Sequence, residues 1–302
     1  MRNRSRWIVA ILSAVLVCAG AAGSAADFLR IGVVTDVHVH DADSPVEKKV
    51  MTNYAERMTA FVDAMNAWPA DIVIELGDLV NGAFVMGGAP GDMTRIAGLL
   101  DEAVTLLSPF YGPIHYVVGN HDLYNLSKDQ FLSAVGKDET YYSFDLGGFH
   151  FVILDAEYNH PGEEDYDHVF MRVKCRIPRH EIEWLHSDLA GTTLPTIVCI
   201  HQPLDSSFDA TAGGPPVVNN QEVRQVLSDS GVVIAVFQGH DHDNRYQQID
   251  GIHYVTFAAM VDHTDPTSPT WAQVTLDPSA QTLIIEGTGV QADYALSFGA
   301  TP

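Results

Sequence analysis

Apolar and polar positions follow two rhythms along this chain. Short, mostly apolar runs at 31–34, 72–76, 115–118, 150–154, 196–200 and 232–237 predict buried strands. Between them, apolar residues fall three and four apart. Met51, Tyr54, Ala55, Met58, Phe61, Val62 and Met65 mark one buried face of a long helix. Ser44-Pro45 is expected to open that helix, with serine as cap and proline at the first helical position. Further helices are predicted over 93–107, 179–189 and 221–228. Residues 141–144 and 150–154 flank Gly147-Gly148 and predict a hairpin. The stretch 252–285 reads as strands and turns. Strands alternating with helices predict one α/β domain over residues 27–302. No internal repeat or linker interrupts it. Glycine and proline cluster at 87–91 and 213–216, which read as surface loops.

The first 26 residues follow a different pattern. Arg2, Arg4 and Arg6 precede an apolar run from Trp7 to Cys18, and Ser24-Ala25-Ala26 offers small residues for cleavage. That is the three-part form of a secretory signal peptide, so export to the periplasm or medium is expected. The run is short of the roughly 20 residues of a stable membrane span. Export makes a disulfide between Cys175 and Cys199 possible. The alternative is two buried or free thiols, because Cys199 sits inside a predicted strand.

Composition narrows the partners. Hydrophobic residues make up 46% of the 302 and charged residues 18%, which excludes intrinsic disorder. Acids outnumber bases 39 to 16, for a formal net charge of −23. Such a surface repels nucleic-acid polymers and anionic lipid. An anionic substrate then needs a local reversal of the field, which bound metal ions supply. Oligomeric state is not legible.

The candidate chemistry sits where the strands end. The runs lead in turn to Asp36 and His38, to Asp78, to Asn120 and His121, to His201, and to His240 and His242. Ligands of open α/β sheets gather beyond the carboxyl ends of strands. Gly77, Gly119 and Gly239 precede three of these positions and let the backbone turn under the site. Asp36, His38, Asp78 and His242 would give one metal two oxygens and two nitrogens. Asp78, Asn120, His201 and His240 would serve a second, with Asp78 bridging. Mixed oxygen and nitrogen donors suit Mn, Fe or Zn better than Ca. His121 could protonate a leaving oxygen, and Asp122 could orient its imidazole. Asp241 is a similar outer candidate. Arg245 is a candidate for a distal phosphate, and Tyr124 and Phe84-Val85-Met86 for a base or an apolar contact. His115, His150 and His253 lie in strand-like runs and read as structural.

Asp36-x-His38, Gly77-Asp78, Gly119-Asn120-His121-Asp122, His201 and Gly239-His240-Asp241-His242 resemble, in order, the five motifs of the calcineurin-like metallophosphoesterase superfamily. The resemblance implies an αββα sandwich. It also implies hydrolysis of phosphate esters by in-line attack of a hydroxide shared between two metals, with His121 as general acid. Gly119 to Asn125, Tyr141-Tyr142-Ser143-Phe144 and Gly239 to Asp243 with Val255-Thr256 are more closely similar to the manganese-dependent ADP-ribose/CDP-alcohol diphosphatase group. That likeness implies manganese first, then Fe or Zn, and small nucleotide diesters or pyrophosphates as substrates. Those enzymes typically carry Gln where this chain has His38. Purple acid phosphatases place a Tyr ligand where this chain has Asn81, so an Fe(III)–tyrosinate centre is not expected. A broad extracellular phosphomonoesterase and a non-catalytic binding module on the same fold are the alternatives.

Overall fold

The computed structural model describes residues 28–43, 49–82, 93–159, 175–205, 217–261 and 269–299. The expected leader, Ser44-Pro45 and Phe84-Val85-Met86 lie outside the described residues. The chain begins with β1 (Leu29–Val34), α1 (Tyr54–Ala67), β2 (Ile72–Glu75), α2 (Met93–Leu107), β3 (Ile114–Tyr116) and α3 (Lys128–Val135). It continues through β4 (Tyr142–Leu146), β5 (Phe149–Ile153), α4 (Arg179–Ala190), β6 (Thr196–Ile200), α5 (Asn220–Ser230) and β7 (Val233–Gln238). It closes with β8 (Arg245–Ile249), β9 (Ile252–Thr256), β10 (Trp271–Asp277), β11 (Thr282–Thr288) and β12 (Tyr294–Ser297).

Two six-stranded sheets form, ordered β12-β11-β10-β1-β2-β3 and β4-β5-β6-β7-β9-β8. Parallel pairing joins β1, β2 and β3 in the first sheet and β5, β6, β7 and β9 in the second. The central strands are buried on both faces, which explains their near-continuous apolar sequences. Ile31, Val33, Ile72 and Ile74 meet Phe151, Ile153, Ile197, Cys199 and Phe237 in a core between the sheets. Val34 and Val73 point the other way, against Met58, Phe61, Met65, Leu99 and Leu100 of α1 and α2. Val152, Val198 and Val236 pack outward on Leu185 of α4 and Leu227 of α5. The layers are therefore α, β, β, α, as the resemblance implies.

The structure alters two readings and decides two others. Helix α1 starts at Tyr54, later than Ser44-Pro45 suggested. The residues before it are drawn inward instead: Asp43 Oδ1 accepts the N–H groups of Met51 and Thr52, and Met51 packs on Ala259 and Val261. Helix α3 was not expected. Its signals are local: Ser127 and Gln130 form a reciprocal capping box, and Gly136 ends it at φ 66°. The C-terminal strands divide between the two sheets. β8 and β9 complete the second, while β10–β12 return to the first beside β1. Neither cysteine is in a disulfide and both are buried, Cys199 between the sheets and Cys175 on the outer side of the second. Among the described residues no helix is long and apolar enough to cross a membrane.

Candidate metal centre

The strand ends converge as the parallel order requires. Beyond β1 and β2 the chain stays paired: Asp36 N–H donates to Gly77 O, His38 N–H to Asp78 O and Val39 N–H to Leu79 O. This brings the loops carrying Asp36, His38 and Asp78 side by side. From the second sheet, Gly239 N–H donates to His201 O, joining the loops after β6 and β7. The two pairs of loops meet where His240 N–H donates to Asp36 Oδ2 at 3.0 Å.

The backbone here is held in an uncommon conformation. Asp36, His38, Asp78, His240 and His242 all have φ between 50° and 70°. Left-handed backbone in non-glycine residues costs energy and clusters at functional sites. Two glycines make the crowding possible. Gly77 has φ 99°, and a Cβ there would lie 2.6 Å from His201 Nδ1. A Cβ on Gly119 would meet Asp78 N and Oδ1 at 2.3 Å. The glycines thus serve close approach as much as turning.

Each carboxylate has one oxygen tied and one left facing the imidazoles. Asp36 Oδ2 accepts from Thr35 Oγ1–H at 2.6 Å and from His240 N–H. Its Oδ1 is buried without a hydrogen-bond partner, 3.3 Å from His242 Nε2 and 3.6 Å from His38 Nε2. Asp78 Oδ1 accepts the His121 N–H at 2.7 Å. Asp78 Oδ2 lies 3.1 Å from His201 Nε2 and 3.7 Å from His38 Nε2, so one oxygen faces both halves of the cluster.

The imidazoles are turned the same way. His38 Nδ1–H donates to Asn81 Oδ1 at 2.8 Å, and His201 Nδ1–H donates to the Leu76 carbonyl at 2.8 Å. Each bond fixes the tautomer that aims the Nε2 lone pair inward. His38 Nε2 and His242 Nε2 then sit 3.2 Å apart, and His240 Nδ1 sits 3.3 Å from His201 Nε2. Lone pairs converging at these distances, beside carboxylate oxygens, fit a cation between them. Asp36, His38 and His242 form one group that could hold a metal, Asp78, His201 and His240 form another, and His38, Asp78 and His121 form a third.

Electrostatics points the same way. Burial opposes ionisation of Asp36, yet the charges of His242 and His201 hold its carboxyl well below the usual range. Asp78 is also held low, His201 and His121 outweighing burial. Burial and the nearby Lys49 charge push His38 down to about 4, and burial with His201 pushes His240 to about 3. His201 stays above the usual imidazole value, because Asp78 and Asp36 overcome its burial. The ionised carboxylates and the neutral His38 and His240 are in the donor state a divalent cation needs, whereas His201 must give up its Nε2 proton when a cation binds.

Asn120 is buried beside Tyr124 and Gln202. Its Nδ2 donates to Tyr124 OH at 2.8 Å, and its Oδ1 lies 3.4 Å from Gln202 Nε2, next to His201. Behind it, Gln202 Nε2 donates to Glu157 Oε1. Burial pushes the Glu157 carboxyl up to about 8. Tyr124 thus orients the Asn120 amide, and its ring centroid lies 4.5 Å from that of His121. The His121 ring lies edge-on to His38 with centroids 4.5 Å apart, and its Nδ1 is buried without a partner.

Two expectations are corrected. Asp122 does not orient the His121 ring. Its oxygens accept the backbone N–H groups of Asp78, Val80 and Gly119 at 2.9–3.0 Å, so it clamps the loops of β2 and β3 together. Arg245 is not left for a distal phosphate, because its guanidinium pairs with Asp241. The histidines read as structural are so placed: His150 bonds Asp145 and Asp188, His253 bonds Tyr246 and Ser297, and His115 stacks on Phe144.

Sequence reasoning missed Asn81, Gln202, Glu157 and Lys49. Gln202 had a local signal, as it directly follows His201. Asn81 is expected to matter through His38: Asn81→Leu removes the acceptor of Nδ1–H. Metal affinity should fall about 10–100-fold, read by competition with a fluorescent chelator; unchanged affinity would show that His38 needs no such support.

The comparisons agree with this geometry. Manganese-dependent ADP-ribose/CDP-alcohol diphosphatases from Oryza sativa subsp. japonica and Arabidopsis thaliana are each 24% identical to this chain. The rice alignment covers 92% of this chain and 96% of the relative; the Arabidopsis one covers 80% and 89%. The crystal structure of a dimetal phosphatase from Danio rerio superposes with a TM-score of 0.74 at 20% identity, over 90% of this chain and 99% of that one. The calcineurin-like phosphoesterase family model matches residues 29–244, a span that holds every strand end of the cluster. This chain therefore belongs to the calcineurin-like phosphoesterase family, and it is a metal-dependent phosphoester hydrolase.

Proposed function

We propose that this enzyme hydrolyses the diphosphate linkage of small nucleotide conjugates, using two manganese ions. One observation carries the two-metal part: Asp78 Oδ2 faces both donor groups, one built on Asp36, His38 and His242, the other on His201 and His240. In this reading Asp36, His38, Asp78 and His242 hold one cation. Asp78, Asn120, His201 and His240 hold the other. Such a pair activates water and offsets charge on phosphoryl oxygens, and manganese is favoured because the relatives are named manganese-dependent.

The chain's own residues do the rest. Asp122, by tying three backbone amides, keeps Asp78 and Asn120 in register. Tyr124 turns the Asn120 amide so that its oxygen points away from the phenol. His121, beside His38 and Asp78, protonates the leaving oxygen. The diphosphate preference is supported by the relatives' names and by the Gly119–Asn125 segment, where Tyr124 has a defined task.

The test is a substrate panel with Mn(II): ADP-ribose, CDP-choline, 2′,3′- and 3′,5′-cyclic AMP, bis-p-nitrophenyl phosphate and p-nitrophenyl phosphate. ADP-ribose or CDP-choline should exceed the monoester in kcat/KM by at least about tenfold, a difference of ~1.4 kcal/mol in transition-state binding. The reverse order would make the enzyme a phosphomonoesterase. We also propose that residues 1–26 direct export, supported by their charged, apolar and small-residue segments. The mass of the protein recovered outside the cytoplasm should correspond to a start at Asp27; a full-length mass contradicts cleavage.

A further inference from the structure

The Gln202 amide sits between two side-chain oxygens. Its Nε2 donates to Glu157 Oε1 and lies 3.4 Å from Asn120 Oδ1. A carboxamide nitrogen carries two hydrogens, one for each oxygen. Gln202 and Glu157 are fully buried, so no exchange with bulk water loosens this arrangement.

Glu157 is anchored from several elements. It lies just past β5, where its N–H donates to Asp155 Oδ1 at 2.7 Å, and its Oε2 accepts the Cys175 thiol at 3.8 Å. Asp155 Oδ2 accepts the Thr140 hydroxyl at 2.6 Å and lies 2.6 Å from Lys128 Nζ of α3. Glu181 of α4 accepts the Asp155 N–H at 2.9 Å. Burying this many polar groups costs free energy that apolar side chains of similar volume would not. The series ends on Asn120, which lies beyond β3 of the first sheet and is met here from the second.

The contact also makes one orientation of Asn120 unique. Asn120 Nδ2 donates to Tyr124 OH at 2.8 Å. A phenol can donate as well as accept, so that bond alone suits either end of the amide. Gln202 Nε2 can only donate, and it therefore admits Asn120 Oδ1 and not Nδ2. A carboxamide oxygen has two lone pairs, so Oδ1 can take this N–H and a cation together.

We propose that Gln202, anchored by Glu157, is a positioning residue that holds the Asn120 oxygen ready for the second cation. This inference rests on the two-metal reading above, in which Asn120 is a donor. It predicts that the two manganese sites respond differently to loss of the Gln202 N–H.

The test titrates Mn(II) into the metal-depleted parent, Q202L, E157L and E157Q, with electron paramagnetic resonance along each titration and thermal unfolding of the metal-free chains. Q202L removes the donor at similar volume. It should weaken one of the two manganese affinities about 10–100-fold, as expected for losing a group that orients a metal ligand. The other affinity should stay near the parent's. At a manganese concentration that fills both parent sites, Q202L should lose the exchange-coupled signal and show isolated ions. E157L should do the same, because Gln202 loses its anchor. E157Q should recover most of the affinity, because its amide oxygen still accepts the Gln202 N–H. Q202N, whose amide is one methylene short of both partners, replaces either leucine variant that does not fold.

A parent that binds two coupled ions, with a Q202L or Q202N variant that binds them equally well, overturns the proposal and leaves the two-metal reading intact. Equal weakening of both affinities with a lowered unfolding temperature overturns it as well, because Gln202 would then serve the fold. E157Q as weak as E157L removes Glu157 as the anchor. A parent that binds a single manganese removes the two-metal reading and this inference together.

Discussion

Asp78→Asn is expected to disable both halves of the metal centre at once. Asp78 Oδ2 is the one oxygen that faces both His38 Nε2 and His201 Nε2, at 3.7 and 3.1 Å. Asn keeps the shape but offers a neutral oxygen or an N–H in its place. The remaining imidazoles then converge without the central negative charge that balances a pair of cations. A metal pair contributes several kcal/mol of transition-state stabilisation, and at ~1.4 kcal/mol per decade its loss lowers kcat/KM by on the order of 10³ or more. Metal analysis should show depleted manganese under conditions that saturate the parent. Full occupancy with parental activity would break the bridging assignment.

His121→Ala is expected to separate chemistry from metal binding. His121 reaches the cluster from the side of His38, and its Nδ1 has no partner that holds it for another purpose. Losing a general acid slows turnover about 10²–10⁴-fold. Manganese content should persist, since the proposed pair is held by the other seven residues; loss of manganese would instead place His121 among the donors, with His38 and Asp78. The loss should also depend on the leaving group. Bis-p-nitrophenyl phosphate expels a weakly basic phenolate that needs little protonation, so its rate should suffer least. Equal losses on nitrophenyl and nucleotide substrates would remove His121 as the proton donor.

The fold was largely legible because its central strands are buried on both faces. That burial writes apolar runs such as 72–76 and 196–200 into the sequence, and the polar residue after each run marks a strand end. The layer order came from the motif resemblance rather than from periodicity. What periodicity left open was non-local. The return of β10 to lie antiparallel to β1, with Ile31 opposite Val274, leaves no mark on either strand alone. Helix α3 was legible in principle, through Ser127, Gln130 and Gly136, but its eight residues make little more than two turns, too short to display a helical period.

The site divides in the same way. Residues that close a strand end, from Asp36 to His242, were found because position and chemistry coincide. Residues that support them from elsewhere were not. Asn81 matters only because its Oδ1 reaches His38, and Lys49 because Asp43 and Arg57 fold its segment inward. Asp122 was found but assigned the wrong contact. Adjacency to His121 suggested the ring, whereas the turn points the carboxylate at the amides of Asp78, Val80 and Gly119.

The central claim is a pair of metals sharing Asp78. Its most direct test is equilibrium binding of Mn(II) to the metal-depleted chain, with electron paramagnetic resonance on the saturated protein. The account predicts two manganese ions per chain and an exchange-coupled spectrum, as expected for ions about 3.5–4 Å apart. A single bound manganese, or two with the summed spectrum of isolated ions, would contradict it.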